Sequence, residues 1–195
     1  MTFPLLSQFN PETGEVAGYS PKPRFLENLK GYFLDEVAYL QALQAGNPVI
    51  YSVTSVEPAH GDGQLHYGLG KIMPGKIGRE YYFTIGHLHV FRPAAEFYIG
   101  LSGEGLMLLQ DEVSGETLIQ PIEPNLVVYV PGFTAHRTVN CGSTPLTYLG
   151  VYPAQAGHDY GSIAKKNFNQ VVLEMNGQPA VLDRQKACQL VSMKE

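Results

Sequence analysis

Four side chains of metal-ligating type stand at spacings that let them meet at one ion. His87 and His89 are two residues apart, and on an extended strand such residues point to the same face. Glu96 opens the apolar run EFYIGL, where an inward carboxylate is costly unless it is paired or bound to a metal. His136 follows the turn Pro131-Gly132. Three imidazoles and one carboxylate can hold a divalent first-row metal and leave positions for substrate oxygens. A single histidine beside an apolar run is more often structural, so this interpretation depends on all four.

The elements that must position these side chains are short apolar runs, punctuated by 21 glycines and 14 prolines. The runs are rich in Val, Ile, Tyr, Phe and Thr and recur at short intervals, which predicts an all-β sandwich or barrel. Ser114-Gly115 is expected to turn a hairpin. A helix is predicted over Asp35–Gln44, starting at Asp35 and stopped by Gly46.

The chain divides into three parts. Residues 1–34 carry four prolines and are expected to form an extended arm that packs on the barrel or on a partner subunit. Residues 35–182 form the barrel domain. Residues 183–195 are a polar tail, expected to be a short helix or frayed.

Composition excludes several function classes. The net charge is −5 without blocks of Lys or Arg, which argues against nucleic acid or an anionic membrane as a partner. The apolar runs are far shorter than the roughly 20 residues that span a bilayer. Two cysteines provide no disulfide framework, and the first residues show no secretory signal. A cytoplasmic location is expected.

Around the four ligands, the sequence resembles the cupin superfamily. The first cupin motif, G-x5-H-x-H-x3,4-E-x6-G, is matched by His87, His89, Glu96 and Gly103. The second motif, G-x5-P-x-G-x2-H-x3-N, is matched by Pro131, His136 and Asn140. Asn125 replaces the first glycine of the second motif, and Gly132 lies one place early. The resemblance implies a cupin jelly-roll β-barrel with one or two short helices.

The gap of six residues between His89 and Glu96 is longer than in most cupins and is similar to that of the metal-dependent, cupin-type glucose-6-phosphate isomerases first known from archaea. The chain resembles that family over most of its length, in MPGKIGREYYFTIGHLH, AEFYIGLSGEGLMLLQ, VVYVPGFTAHRTVN and VYPAQAGHDYGSIA. The residues after Asp183 extend beyond the resemblance. It implies a homodimer that binds one divalent ion per chain, with Fe²⁺ favoured over Mn²⁺, Zn²⁺ or Ni²⁺, and that acts on a sugar phosphate.

The resemblance also assigns roles to individual residues. The metal ligands are His87, His89, Glu96 and His136. The phosphate is held by Tyr51, Thr84, Gly86 and Tyr160, and Tyr98 also contacts substrate. Glu96, His158 and Tyr152 are the catalytic candidates. On chemical grounds we expect Glu96 to leave its ligand role and carry a proton between C1 and C2, with a metal-assisted hydride shift at the same site as the open alternative, and His158 or His136 to assist ring opening. Where the family commonly has Thr, this chain has Gly70, and either Lys71 or a water is expected to compensate. Lys76 and Arg79 are expected to be surface charges.

Three alternatives remain open at this point. A metallocupin dioxygenase has the same four ligands. An isomerase active on mannose 6-phosphate differs only at C2 of its substrate. A non-catalytic sugar-binding module is the third alternative, although no basic stripe for DNA accompanies it.

Overall fold

The computed structural model describes residues 6–192, and β-strands dominate those residues. The strands are β1 (Lys22–Phe25), β2 (Val49–Val56), β3 (Leu65–Ile72), β4 (Lys76–Ile77), β5 (Glu80–Tyr81), β6 (Glu96–Ser102), β7 (Gly105–Asp111), β8 (Thr117–Ile122), β9 (Val127–Val130), β10 (Thr134–Asn140), β11 (Leu146–Pro153), β12 (Gln170–Met175) and β13 (Gln178–Asp183). The helices are α1 (Glu36–Gly46), α2 (Gly161–Lys166) and α3 (Arg184–Ser192), with a 3₁₀ turn at Leu26–Leu29. The all-β prediction is confirmed.

The strands form three antiparallel sheets. Six strands are ordered β1-β2-β3-β11-β6-β9, three are ordered β10-β7-β8, and four are ordered β13-β12-β5-β4. The hairpin of β7 and β8 turns at Ser114-Gly115, as predicted. β11 lies between β3 and β6, so strands distant in sequence share one inner face. The site therefore depends on long-range pairing.

The core lies inside the barrel, where strands from different sheets bury their apolar side chains together. Ile50, Ile72, Met107, Ile122 and Val130 have no exposed surface and belong to one cluster. Each such side chain contributes about 1.5–3 kcal/mol relative to the exposed state. This packing fixes the strands that carry the site.

The N-terminal arm packs on its own barrel. β1 pairs with β2, and the 3₁₀ turn that follows buries Leu26 and Leu29 completely. Earlier in the arm, Val16 packs against Val56 and Leu69. The prolines break regular structure without preventing this burial.

The predicted helix is α1, and it ends two residues later than expected. The Asp35 carboxylate accepts the backbone N–H of Ala38 at 2.8 Å, which is a standard N-cap. The helix continues through Gly46, because Asn47, with φ of 46°, takes the left-handed conformation that ends it.

The tail forms α3 at least as far as Ser192, beyond which its residues lie outside the described part. The Asp183 carboxylate accepts the N–H groups of Gln185 and Lys186, and Ala187 packs on β12. Between residues 6 and 192, no helix has the length and apolar character needed to cross a membrane.

Candidate metal centre

The four predicted ligands come together at one point. His87 and His136 exchange backbone hydrogen bonds, with N···O distances of 3.2 and 3.0 Å, which places both rings on one face. Glu96 begins β6, and its carboxylate joins them. The ligand atoms of His87, His89, Glu96 and His136 all lie within 4.8 Å of one another. One small ion can contact all four.

The segment that carries His87 and His89 is less regular than the predicted strand. It forms isolated bridges, His87 to His136 and Leu88 to Asp159, instead of a continuous ladder. The His87 and His89 ring centres are 5.6 Å apart. Both rings still reach the same cluster of ligand atoms. The predicted convergence on one ion therefore does not need a regular strand.

The ligand atoms themselves satisfy a test for a metal site. The Nε2 atoms of His87, His89 and His136 and Oε1 of Glu96 are buried and lack a hydrogen-bond partner. Nε2 of His136 lies 2.5 Å from Oε1 of Glu96, but without the angle of a hydrogen bond. Unpaired buried polar atoms cost about 1–3 kcal/mol each, and four at one point are explained by a shared cation.

Two of the rings are oriented by main-chain carbonyls. Nδ1 of His89 lies 2.9 Å from the Ala94 carbonyl, and Nδ1 of His136 lies 3.2 Å from the Thr134 carbonyl. A carbonyl only accepts, so each Nδ1 carries a proton and Nε2 is the nitrogen that each ring presents to the cluster. Such a second contact is typical of metal-binding histidines.

Electrostatics favour the ligating forms of Glu96 and His87. Burial raises the pKa of the Glu96 carboxyl, but the neighbouring imidazoles of His136, His89 and His87 outweigh it, and the pKa lies well below its ordinary value. Burial and the nearby His136 lower the pKa of His87 well below its ordinary value. A carboxylate and a neutral imidazole are the forms that bind metals.

A cavity of about 290 Å³ opens beside the ligands. Its wall contains nearly all the predicted site residues: Tyr51, Thr84, Gly86, His87, Glu96, Tyr98, His136, Tyr152, His158 and Tyr160. His89 is not part of the wall and reaches the cluster from behind, with 4% of its surface exposed. The structure therefore brings the predicted set to one place.

The arm adds two cations that sequence reasoning missed. Arg24 pairs with Tyr51 and Lys22 with Val53 across β1 and β2, and all four line the cavity. Paired residues of neighbouring strands share a face, so the two cations lie on the cavity side of the sheet. Lys22 and Arg24 are two residues apart, which indicates that they share one face of a strand. The sequence did not reveal which strand they pair with, and so did not show that this face lines the cavity.

Two of the residues predicted to hold phosphate, Thr84 and Gly86, lie in the segment before His87. Thr84 Oγ1 accepts the N–H of Thr138 at 3.1 Å. Gly86 has φ of 77°, and a Cβ there would collide with Phe168 and the His136 carbonyl, so glycine is required. Beneath, the Arg137 guanidinium lies 4.4 Å from the Phe168 ring and donates to the Ile85 carbonyl. The buried arginine holds this segment in place.

Gly70 has a structural explanation that its position in the sequence does not suggest. It pairs with Tyr148 across β3 and β11, and a Cβ at residue 70 would collide with the Tyr148 ring. A threonine is therefore incompatible with this tyrosine. Lys71 does not compensate: its Cβ lies against Gly14, on the arm side of the sheet. Lys76 forms a surface ion pair with Glu174.

A partly buried ion pair anchors the segment around His158. Asp159 binds Arg92 at 2.7 Å and Ser162 at 2.7 Å, and these contacts lower its carboxyl pKa to about 2. The anchor places His158 with its ring centre 4.5 Å from that of His87 and stacks it with Tyr160. Asp159 and Arg92 were also missed, because their pairing spans 67 residues.

Comparisons with known proteins identify the family of this chain. A family model described as glucose-6-phosphate isomerase (GPI) matches residues 24–189. The glucose-6-phosphate isomerase of Pyrococcus horikoshii is 46% identical over 180 residues, 92% of this chain and 95% of the relative. That of Thermococcus onnurineus is 44% identical over 183 residues, 94% of this chain and 96% of the relative.

Structural comparison supports the fold. An oxalate oxidase in complex with the substrate analogue glycolate superposes with a TM-score of 0.51 at 14% identity, covering 60% of this chain and 58% of that one. The likeness shows the cupin jelly-roll fold and nothing further. The family match reaches residue 189, so the expectation that the resemblance ends at Asp183 is wrong.

Proposed function

This chain belongs to the glucose-6-phosphate isomerase family and is an aldose–ketose isomerase that interconverts glucose 6-phosphate and fructose 6-phosphate; from this premise we propose that it is metal-dependent and uses Glu96 to carry the proton. The observation that carries the proposal is the convergence of four buried, unpartnered ligand atoms beside the cavity. The reaction is a step of glycolysis.

The metal proposal follows from the donor set. His87, His89, Glu96 and His136 would hold one divalent ion, and three imidazoles with one carboxylate suit Fe²⁺, which we favour, as well as Mn²⁺, Zn²⁺ or Ni²⁺. When bound, the ion supplies Lewis-acid polarisation of the sugar's oxygens at C1 and C2. The protein's part is to bring the four ligands together beside the cavity.

Glu96 is the candidate proton carrier because it is the buried carboxylate in the cavity wall. We infer that it removes the proton from C2 of glucose 6-phosphate and returns it to C1, while the hydroxyl proton of O2 moves to O1. A positioned carboxylate of this kind contributes about 10²–10⁴-fold to the rate. Tyr98, two residues on, lines the same wall and is a substrate contact.

His158 and Tyr152 are placed to act at the sugar ring. Their ring centres are 5.4 Å apart, and both line the cavity beside the ligand cluster. Burial raises the pKa of Tyr152 to about 12, so its hydroxyl stays a donor at neutral pH. We assign His158 to ring opening, as a proton carrier next to the reacting carbons, and Tyr152 to orienting the substrate.

The phosphate is assigned to the end of the cavity that holds Arg24. Tyr51, Thr84 and the Gly86 backbone supply neutral donors there, and Arg24 and Lys22 supply positive charge. The Tyr148 hydroxyl occupies the space that a side chain at residue 70 would fill, so a phenol replaces the missing threonine. Tyr160 completes the set. A dianion fits this mixture of hydroxyls, an amide and cations.

Replacement of Arg24 by methionine is expected to raise the KM for fructose 6-phosphate about tenfold and to change kcat little. The variant loses a charge-assisted contact worth about 1.5 kcal/mol at an exposed position, and that contact does not change during proton transfer. Steady-state kinetics measures both constants. The inhibition constant of inorganic phosphate is expected to rise in parallel.

The matched control for Arg24→Met is Arg79→Met, because Arg79 is exposed and outside the cavity. Its KM and phosphate inhibition are expected to equal those of the wild type. An unchanged KM in Arg24→Met would remove Arg24 from the phosphate site.

Chelation followed by metal add-back tests the central proposal. The chelated protein is expected to lose fructose 6-phosphate conversion in a coupled assay and to regain it with Fe²⁺, Mn²⁺, Zn²⁺ or Ni²⁺, with the native ion identified by elemental analysis. An oxygen electrode is expected to record no oxygen uptake. Full turnover by metal-free protein would contradict metal dependence, and oxygen uptake would indicate a dioxygenase.

We further propose a cytoplasmic homodimer. Phe97, Val127 and Tyr129 form an exposed apolar patch on β6 and the edge strand β9, with Val127 and Tyr129 each 63% exposed. Such patches commonly contact a partner, here a second copy, and light scattering measures the assembly directly. Cys141 and Cys188 are free thiols, which suits a reducing compartment.

A further inference from the structure

A second cluster of ligating side chains lies where β2 ends and β3 begins. The ligand atoms of Glu57, His60 and His66 lie within 4.8 Å of one another. None of these residues belongs to the first metal set. Glu57 follows β2 directly, His66 is the second residue of β3, and His60 lies in the connection between them.

His66 provides the fixed part of this cluster. Only 5% of its surface is exposed, and its Nε2 lies 2.7 Å from the Ala59 carbonyl. Because the carbonyl only accepts, Nε2 carries the proton and Nδ1 keeps a lone pair. His89 and His136 use the same contact to a main-chain carbonyl, with the opposite ring nitrogen. Metal-binding imidazoles are commonly oriented in this way.

The connection folds so that His60 returns to His66. Gly61 and Gly63 have φ of 105° and 75°, values that residues other than glycine rarely adopt. The His60 ring lies perpendicular to that of His66, with centres 5.3 Å apart. The tight turn thus places an exposed imidazole and an exposed carboxylate around a buried, oriented imidazole.

We propose that Glu57, His60 and His66 bind a second divalent ion. Two imidazoles and one carboxylate favour Zn²⁺, Ni²⁺ or Cu²⁺ over Mg²⁺ or Ca²⁺, and water fills the remaining positions. The two exposed ligands make this site weaker than the first. Glu57 lines the cavity, and His66 lies edge-on to Tyr152 with ring centres 6.0 Å apart. The ion therefore ties the β2–β3 connection to the wall of the active site.

Metal stoichiometry after equilibrium dialysis against Zn²⁺ tests the proposal on the full, tag-free chain. The wild type is expected to bind two Zn²⁺ per chain in two steps, and His60→Ala only one. His60 is exposed, so its loss does not threaten folding, which a thermal melt checks. The ion that remains in His60→Ala occupies the first site, on which the proposed function rests. Loss of the second ion alone therefore concerns only the second site, whereas loss of both would concern the proposed function.

Asp62→Asn is the matched control, because Asp62 is an exposed acidic residue of the same connection outside the cluster. It is expected to bind two Zn²⁺ with wild-type affinities. One Zn²⁺ per wild-type chain, or two in His60→Ala, would overturn the second site. Loss of the second ion in Asp62→Asn would assign the ion to other ligands.

Discussion

A His136→Ala variant is expected to lose its metal ion on dialysis and its turnover with it. His136 supplies one of four ligand atoms that lie within 4.8 Å of one another, and removal of a ligand weakens metal affinity by more than the roughly 10–100-fold typical of an outer-shell partner. The truncation also leaves Glu96 buried without its nearest imidazole. Elemental analysis measures the ion, and the coupled assay measures turnover.

Imidazole rescue separates the loss of a ligand from misfolding in this variant. The truncated ring leaves room beside Glu96 for free imidazole, which is expected to restore part of the metal content and part of the activity. His60→Ala removes an exposed histidine outside the first metal set and is expected to keep the tightly bound ion. Full metal content and wild-type turnover in His136→Ala would refute the proposed metal centre.

The convergence of the four candidate ligands could be predicted from the sequence because it depends on short motifs. A same-face pair at His87 and His89, a carboxylate in an apolar run and a histidine after a turn need few assumptions about the fold. The resemblance to a known family supplied the rest, including His158 and Tyr160. The strand predicted at His87 is replaced by isolated bridges. The rings of His87 and His89 nevertheless reach the same cluster, so this difference does not affect the candidate site.

The end of the cavity that we propose for phosphate was harder to predict because it depends on register between distant strands. Lys22 and Arg24 face the cavity only because β1 pairs with β2 as it does, and a shift of one residue would turn both outward. Gly70 is explained only by its opposite neighbour Tyr148, 78 positions later. Neither pairing leaves a signal in the local sequence.

The ends of the chain show how far composition predicts packing. The prolines of the arm indicated a segment without a core of its own that packs on the barrel or on a partner, and Leu26 and Leu29 are completely buried in the core of the barrel. The polar tail, expected to be a short helix or frayed, forms α3, and its small residue Ala187 packs on β12. Composition did not reveal which apolar side chains make these contacts, because it averages over each segment.

Replacement of Glu96 by glutamine is expected to lower kcat about 10³-fold while the protein keeps much of its metal. Glutamine retains a carbonyl oxygen as a weak ligand, but it cannot accept a proton from carbon, and general-base catalysis contributes about 10²–10⁴-fold. A matched control is Glu80→Gln, which changes an equally buried glutamate outside the cavity and is expected to keep wild-type kcat. Elemental analysis of each variant separates loss of the base from loss of the ion.

Deuterium transfer decides whether Glu96 carries the proton at all. A carboxyl that holds the proton between C1 and C2 exchanges it with solvent, so wild-type turnover of fructose 6-phosphate in D₂O is expected to place deuterium at C2 of the product. A direct hydride shift between the two carbons would leave C2 free of deuterium. Absence of label in the wild type, or a kcat in metal-loaded Glu96→Gln within about tenfold of the wild type, would contradict the assignment. Label at C2 together with the loss of kcat identifies Glu96 as the base, because the other three ligands are imidazoles whose Nε2 lone pairs the ion would occupy.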